Sequence, residues 1–153
     1  MQLLFVCHGN ICRSTMAESV MAHLLAQAGL DAKVSVDSAA TSTEEIGNPP
    51  HYGTRQELAR RKVPLCPHRA KRITQQEAQR ADLILAMDHA NVRNLQRMLP
   101  PHLHHKIKLL LSFAGVEREI ADPWYTGEFG QTYEDVFMGC TALLQTLQAD
   151  QPL

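Results

Sequence analysis

Residues 3–14 read LLFVCHGNICRS, and this stretch decides the fold of the 153-residue chain. Its first four residues, LLFV, form a short continuous apolar run that is typical of a strand buried on both faces of a sheet. A helix is expected to begin near Ser14, because serine is a good N-cap residue and apolar side chains then recur at helical spacing. Strand, loop and helix in this order predict one unit of a parallel sheet.

The same alternation continues along the chain. Apolar runs predict further strands at residues 33–37, 83–87 and 107–111. Capping residues and apolar periodicity predict helices at about 14–28, 49–61, 88–99 and 131–148, with a short one from a Thr74–Glu77 capping box. This order predicts an α/β fold: a single three-layer domain with a four-stranded, parallel, twisted sheet and helices on both faces. We expect the domain to comprise residues 1–153, with a short flexible tail from about residue 149.

Composition and charge exclude several classes of function. Lys plus Arg number 15 and Asp plus Glu number 16, which argues against a protein that coats nucleic acid or anionic membrane. The apolar runs are too short to span a membrane, and residues 1–6 lack the features of a signal peptide. We therefore expect a cytoplasmic protein with reduced thiols at its four cysteines, whose spacing fits no zinc site.

The loop at residues 7–13, called here the cysteine loop, should stand at the carboxyl edge of the sheet, where ligands bind. A loop that closes into a helix N-terminus points N–H groups inward, which binds an anion and favours the thiolate of Cys7. The fork of Arg13 can hold two phosphoryl oxygens, and Ser14 can donate a hydrogen bond to the sulfur. Gly9 and Asn10 suit the tight backbone of such a loop.

A plainer interpretation makes Cys7 a buried core thiol and Arg13 a solvated charge, and the spacing Cys-x5-Arg alone does not exclude it. The whole octet between a buried strand and a helix favours a phosphoryl-transfer site with an in-line sulfur nucleophile.

The segment VCHGNICRS at residues 6–14 resembles the signature of the low-molecular-weight protein tyrosine phosphatases. Other segments resemble those of the family in the same order, over about residues 3–148: DSAAT at 37–41, GNP at 47–49, AMD at 86–88 with Asn91, and DPWY at 122–125. The resemblance implies hydrolysis of phosphotyrosine in proteins through a phosphocysteine intermediate, with no metal or other cofactor. It also implies inhibition by phosphate-like oxyanions and a monomer that needs neither nucleic acid nor membrane.

The resemblance assigns a role to individual residues. Cys7 is the expected nucleophile, Arg13 binds phosphate, and Asp122 is the general acid and base. The expected phosphate-binding loop consists of His8, Gly9, Asn10, Ile11, Cys12 and Arg13. The residues expected to support it are Ser14, Ser38, His68, Asp88 and Asn91. The expected substrate wall consists of Glu44, Trp124 and Tyr125.

Several of these residues have plainer alternatives when taken alone. Asp122 suits an Asx turn before Pro123, Trp124 suits a core anchor, and His68 suits the surface. Cys12 is either a small packed residue or, as the resemblance implies, a thiol that pairs with Cys7 on oxidation.

Three positions bear on specificity. The apolar Ile11 fits a phenyl ring, whereas a small polar residue is expected there in relatives that prefer phosphoarginine. Glu44 stands where many relatives have an aromatic residue, and an acid there is expected to repel acidic peptides and to favour basic ones. His8 is unusual beside the nucleophile, and in its protonated form it would favour the thiolate.

The sequence raises three competing functions, and a feature of the chain argues against each of them. An arsenate reductase on this fold would need further cysteines soon after the third strand, and residues 81–94 contain none. A non-catalytic anion-binding module would not need both Cys7 and Asp122. The histidines at residues 102–105 suggest a metal site, but an exposed loop is the expected arrangement because the cluster contains no acid or cysteine.

Overall fold

The computed structural model describes residues 1–150, with side chains to residue 149, and forms one four-stranded parallel sheet in the order β2-β1-β3-β4. The strands are β1 Gln2–Cys7, β2 Ser35–Ala40, β3 Leu83–Ala86 and β4 Ile107–Leu109. All four predicted strands are present, but β4 ends at Leu109 instead of residue 111, because the chain continues as a 3₁₀ segment over Leu110–Ala114. Strand β2 covers Ser35–Ala40 instead of the predicted residues 33–37. It ends later because the small residues near its end continue to pair with β1, where Ala40 lies opposite Cys7.

Helices cover both faces of the sheet, as the sequence predicts. They are α1 Arg13–Gln27, α2 Tyr52–Arg60, α3 Gln75–Arg80, α4 His89–Met98, α5 Pro123–Thr126 and α6 Phe129–Asp150. Helix α6 continues past residue 149, where the sequence predicts a tail, and residues 151–153 lie outside the described residues. Two 3₁₀ segments, Pro101–Lys106 and Leu110–Ala114, flank β4.

Two predicted helix starts are wrong. Helix α1 begins at Arg13, and Ser14 is not its N-cap because its hydroxyl bonds to the Cys7 sulfur instead. Helix α2 begins after the two prolines of residues 49–50, with His51 as its N-cap. The histidines at residues 102–105 lie in a 3₁₀ segment rather than an open loop. The Thr74–Glu77 capping box is confirmed.

The hydrophobic core consists of two layers, because alternate residues of each buried strand face opposite sides of the sheet. Leu3 and Phe5 of β1 pack in the larger layer with residues of α1 and α6, whereas Leu4 and Val6 pack in the smaller layer with Leu95 of α4. The sheet is therefore buried on both faces over its central strands.

This topology places the cysteine loop. After β1 the chain crosses to β2 on one side and later to β3 on the other, so the loop that follows β1 lies where the strand order switches direction. None of the helices within residues 1–150 combines the length and apolar character needed to cross a membrane.

Candidate active site

The Cys7 sulfur lies at the base of a cleft, at the end of β1. It accepts a hydrogen bond from the Asn10 backbone N–H at 3.3 Å, and the Ser14 hydroxyl lies 3.0 Å away. The hydroxyl also accepts a bond from the Asn10 side-chain amide at 2.7 Å, which leaves its proton free for the sulfur. Donors that point at a sulfur favour its thiolate form.

Asn10 holds the loop in shape. Its backbone is left-handed, with φ of 60°, and its side chain is fully buried. The amide nitrogen donates to Ser14 and, at 3.0 Å, to Ser38. The amide oxygen accepts from His68 Nε2 at 2.7 Å and from the Lys71 backbone N–H at 3.2 Å. His68 therefore carries a proton on Nε2 and is part of the site rather than a surface residue.

Beneath Asn10 lies an ionisable cluster in which the predicted support residues Ser38 and His68 meet Glu18 and Asp37, to which the sequence assigned no role. The Ser38 hydroxyl donates to buried Glu18 at 2.5 Å, and His68 Nδ1 lies 3.5 Å from Glu18 and 3.8 Å from Asp37. Burial raises the pKa of Glu18 to about 7 and lowers that of His68, so burial opposes charge on either group.

Glu18, Asp37 and His68 are the one set of three potential metal ligands found among the described side chains. The Lys71 ammonium lies 2.6 Å from the carboxylates of both Asp37 and Glu77, so Asp37 already has a cationic partner. We therefore interpret the cluster as support for Asn10 rather than as a metal centre.

Arg13 is buried, although it is an arginine at the first position of a helix. One terminal nitrogen donates to Asp88 at 2.7 Å and to the Ile120 carbonyl at 3.0 Å, and the other lies 3.4 Å from Asp122. Burial lowers the pKa of Arg13, but the Cys7 sulfur and these carboxylates together raise it above its usual value. Its buried Nε–H has no partner in the described part of the chain and can donate to an anion.

Asp88 is fixed by its own capping box. Its carboxylate accepts from the Asn91 backbone N–H at 2.7 Å, and the Asn91 side chain accepts from the backbone N–H groups of Met87 and Asp88. The predicted cap at Asp88 is confirmed. The carboxylate oxygen that does not cap α4 is the one that holds Arg13.

Asp122 both caps a turn and contributes a carboxylate oxygen to the site. One carboxylate oxygen accepts from the Trp124 backbone N–H at 3.0 Å and caps α5, and the other faces Arg13. The side chain also lines the cleft that contains Cys7. The two interpretations of Asp122 are therefore compatible.

Two walls border the cleft above Cys7. Trp124 and Tyr125, the aromatic wall, are 56% and 80% exposed, so Trp124 is not a core anchor. Glu44 and Glu45, the acidic wall, line the same cleft. The remaining lining residues come from the cysteine loop and from Asp122: His8, Gly9, Ile11 and Cys12.

His51 supports the aromatic wall, and no motif in the sequence indicates it. Its ring lies edge-on to Trp124 with centroids 5.6 Å apart and stacks on Phe129 at 5.1 Å. Its backbone N–H donates to the Ile11 carbonyl at 2.7 Å. One residue thus ties the aromatic wall to the cysteine loop.

Comparison with known proteins gives a family. The family model described as low molecular weight phosphotyrosine protein phosphatase matches residues 2–153. The chain belongs to this family. That membership confirms the resemblance and makes the chain a protein-tyrosine phosphatase of the low-molecular-weight class.

Individual relatives match over nearly the whole chain. YfkJ, a low molecular weight protein-tyrosine-phosphatase of Bacillus subtilis, is 37% identical, with 99% of this chain and 98% of YfkJ covered. The crystal structure of YfkJ superposes with a TM-score of 0.91, covering 99% of this chain and 96% of YfkJ. The human low molecular weight phosphotyrosine protein phosphatase is 38% identical over 94% of this chain and 93% of its own length. A Drosophila protein described as an arginine phosphatase is 33% identical, with a TM-score of 0.90, covering 99% of this chain and all of that chain.

Substitution of Asn10 tests its place at the centre of the loop. Asn10→Gly keeps the left-handed backbone but leaves buried partners unsatisfied, so we expect a loss of about 2–4 kcal/mol in the free energy of unfolding. Asn10→Ala should lose about 1 kcal/mol more, because alanine resists positive φ. Urea denaturation measures both values, and variants within about 0.5 kcal/mol of the wild type would contradict this account.

Reactivity of the thiols tests the electrostatics. Burial, with the nearby Cys7 sulfur, raises the pKa of Cys12 to about 12, so at pH 7 only about one molecule in 10⁵ has that thiolate. We expect iodoacetamide at pH 7 to label Cys7 and to spare Cys12 and the fully buried Cys140, as measured by peptide mass spectrometry. Cys7→Ser is the control, and equal labelling rates for Cys7 and Cys12 would count against the assignment.

Proposed function

We propose that this cleft is the active site and that it hydrolyses phosphotyrosine in proteins, with Cys7 as nucleophile, Arg13 as phosphate ligand and Asp122 as general acid and base. The observation that carries the proposal is the position of the Cys7 sulfur, which faces its donors at the base of a cleft that Asp122 also lines. A terminal nitrogen of Arg13 lies 3.4 Å from the Asp122 carboxylate.

In the first step the Cys7 thiolate attacks phosphorus, forming the S–P bond as the bond from phosphorus to the phenolic oxygen breaks. Protonated Asp122 gives its proton to that oxygen, so tyrosine leaves as the neutral phenol. Arg13 and the N–H groups of the cysteine loop bind the three remaining phosphoryl oxygens. The leaving group suits this chemistry, since a phenol has a pKa of about 10.

In the second step the Asp122 carboxylate removes a proton from water, and the water oxygen attacks phosphorus. The S–P bond breaks, inorganic phosphate leaves, and the Cys7 thiolate and protonated Asp122 are restored. The Ser14 hydroxyl stabilises the departing thiolate through its contact with the sulfur.

The residues that line the cleft favour a substrate with an aromatic ring, such as phosphotyrosine. Ile11 is apolar, and the aromatic wall can stack on a phenyl group. A phosphoarginine activity is the alternative, since one relative is described as an arginine phosphatase, but the cleft is lined by the apolar Ile11 where a small polar residue is expected for that preference. Arsenate reduction would need a relay thiol, and neither Cys66 nor Cys140 lines the cleft.

The remaining expectations form part of the same proposal. Residues 1–153 act as one domain and as a monomer, and oxyanions that resemble phosphate inhibit by occupying the cysteine loop. A reducing cytoplasm suits a thiol nucleophile.

The effect of substituting Asp122, the proposed acid, on kcat/KM should depend on the leaving group of the substrate. We expect Asp122→Asn to lower kcat/KM for a phosphotyrosine peptide by about 10²–10⁴-fold, the usual contribution of a general acid. The loss should be smaller with p-nitrophenyl phosphate, whose more acidic phenol needs less protonation. Initial rates with both substrates measure the difference.

Two controls accompany this measurement. Cys7→Ser should abolish turnover of both substrates, and phosphoarginine should be a poor substrate of the wild type. Equal losses for both leaving groups would contradict the role of Asp122, and full activity of Cys7→Ser would contradict the proposed function.

A further inference from the structure

We propose that the acidic wall, Glu44 and Glu45, is a subsite that selects phosphotyrosine segments with lysine or arginine next to the phosphotyrosine. This inference rests on the proposed function and adds a substrate class to it. Its basis is an uneven distribution of charge around the cleft: one wall is aromatic, and the other carries two carboxylates.

Glu44 is held at the rim by the cysteine loop. Its carboxylate lies 3.0 Å from His8 Nε2, so the His8 side chain points along the rim. The backbone N–H and the hydroxyl of Ser42 both donate to the His8 carbonyl, at 3.1 Å and 2.9 Å, which ties the Glu44 segment to the loop. The Glu44 side chain is 68% exposed and can meet a substrate.

Glu45 is positioned from the other side. Its carboxylate accepts a hydrogen bond from the Asn48 side chain at 2.6 Å, and its Cγ lies 3.4 Å from where a Cβ on Gly9 would stand. The Glu45 side chain therefore lies beside the cysteine loop at Gly9. The two carboxylates are both placed by the chain and both line the cleft.

Local cations do not offset this charge. Among the described side chains, no Lys or Arg forms a salt bridge with Glu44 or Glu45, and the single ionic contact is the His8 imidazole. Arg13 is committed to Asp88 and Asp122 deeper in the cleft. A substrate that enters therefore meets two carboxylates at the rim that no described lysine or arginine neutralises.

This arrangement discriminates between peptides. The phosphoryl group is held at the cysteine loop and the ring lies between the walls, so residues beside the phosphotyrosine pass over the rim. A lysine or arginine there can pair with either carboxylate, and exposed pairs of this kind change an affinity by a factor of about two to five each. An acidic neighbour is repelled by the same charges.

The aromatic wall also attracts cations through its ring faces, so a preference for basic peptides alone would not identify the acidic wall. The experiment must therefore remove the carboxylates and leave Trp124 and Tyr125 intact.

The test uses three phosphotyrosine peptides that differ only in flanking residues: lysine, glutamine or glutamate. For the wild type at low ionic strength we expect kcat/KM to be about tenfold higher for the lysine peptide than for the glutamate peptide. The ratio should fall towards one as added salt screens the charges. The salt dependence tests whether the preference is electrostatic, and the variants below assign it to the acidic wall.

The double variant Glu44→Gln with Glu45→Gln should reduce the lysine-to-glutamate ratio to about two or less. Because the ratio is taken within one variant, a general change in activity does not imitate the effect. Asp31→Asn is the matched control. It removes one exposed negative charge beyond the far end of α1, about 22 Å along that helix from the cysteine loop, and should keep the wild-type ratio.

The outcomes separate the two proposals. Turnover of all three peptides with equal kcat/KM, or a wild-type ratio in the double variant, would overturn the inference and leave the proposed function standing. Failure of the wild type to hydrolyse any phosphotyrosine peptide would overturn both.

Discussion

The left-handed backbone of Asn10, and the buried hydrogen bonds of its side chain, form the constraint on which the site depends. This conformation turns the chain so that the Asn10 N–H faces the Cys7 sulfur, while its side-chain amide orients the Ser14 hydroxyl towards the same sulfur. Asparagine suits the position because it tolerates positive φ and offers both donors and an acceptor. The sheet determines where β1 ends and therefore where Cys7 lies. Asn10 determines which hydrogen-bond donors of the following loop point at the Cys7 sulfur.

The second constraint is one buried cation shared among several anions. The guanidinium of Arg13 faces the Cys7 sulfur, Asp88 and Asp122, and its desolvation is offset by these partners. Asp88 is fully held by its capping box, whereas Asp122 keeps a longer contact of 3.4 Å. The guanidinium thus links Asp88 to Asp122 beside the Cys7 sulfur.

Local signals predicted the fold and the centre of the site, whereas tertiary contacts decided the rest. The apolar run before Cys7, the Asp88 cap and the contact of Ser14 with the sulfur each depend on neighbours within a few residues. Ser14 was wrong as an N-cap because the sulfur competes for its hydroxyl, a contact that exists only once the loop has closed. His51 and Glu18 act through residues distant in the sequence, so no spacing or motif could indicate them. The family resemblance supplied His68 and Asp122, which the sequence alone would assign to surface and turn.

The most direct test of the central claim, covalent catalysis by Cys7, is to quench the enzyme with acid during turnover of phosphotyrosine and to identify the modified peptide by mass spectrometry. The account predicts a phosphoryl group on the sulfur of Cys7, with a larger steady-state amount when water attack is slowed by Asp122→Ala and the substrate is p-nitrophenyl phosphate. Turnover with no phosphorylated Cys7 at any quench time, or a phosphoryl group found on another residue, would contradict it.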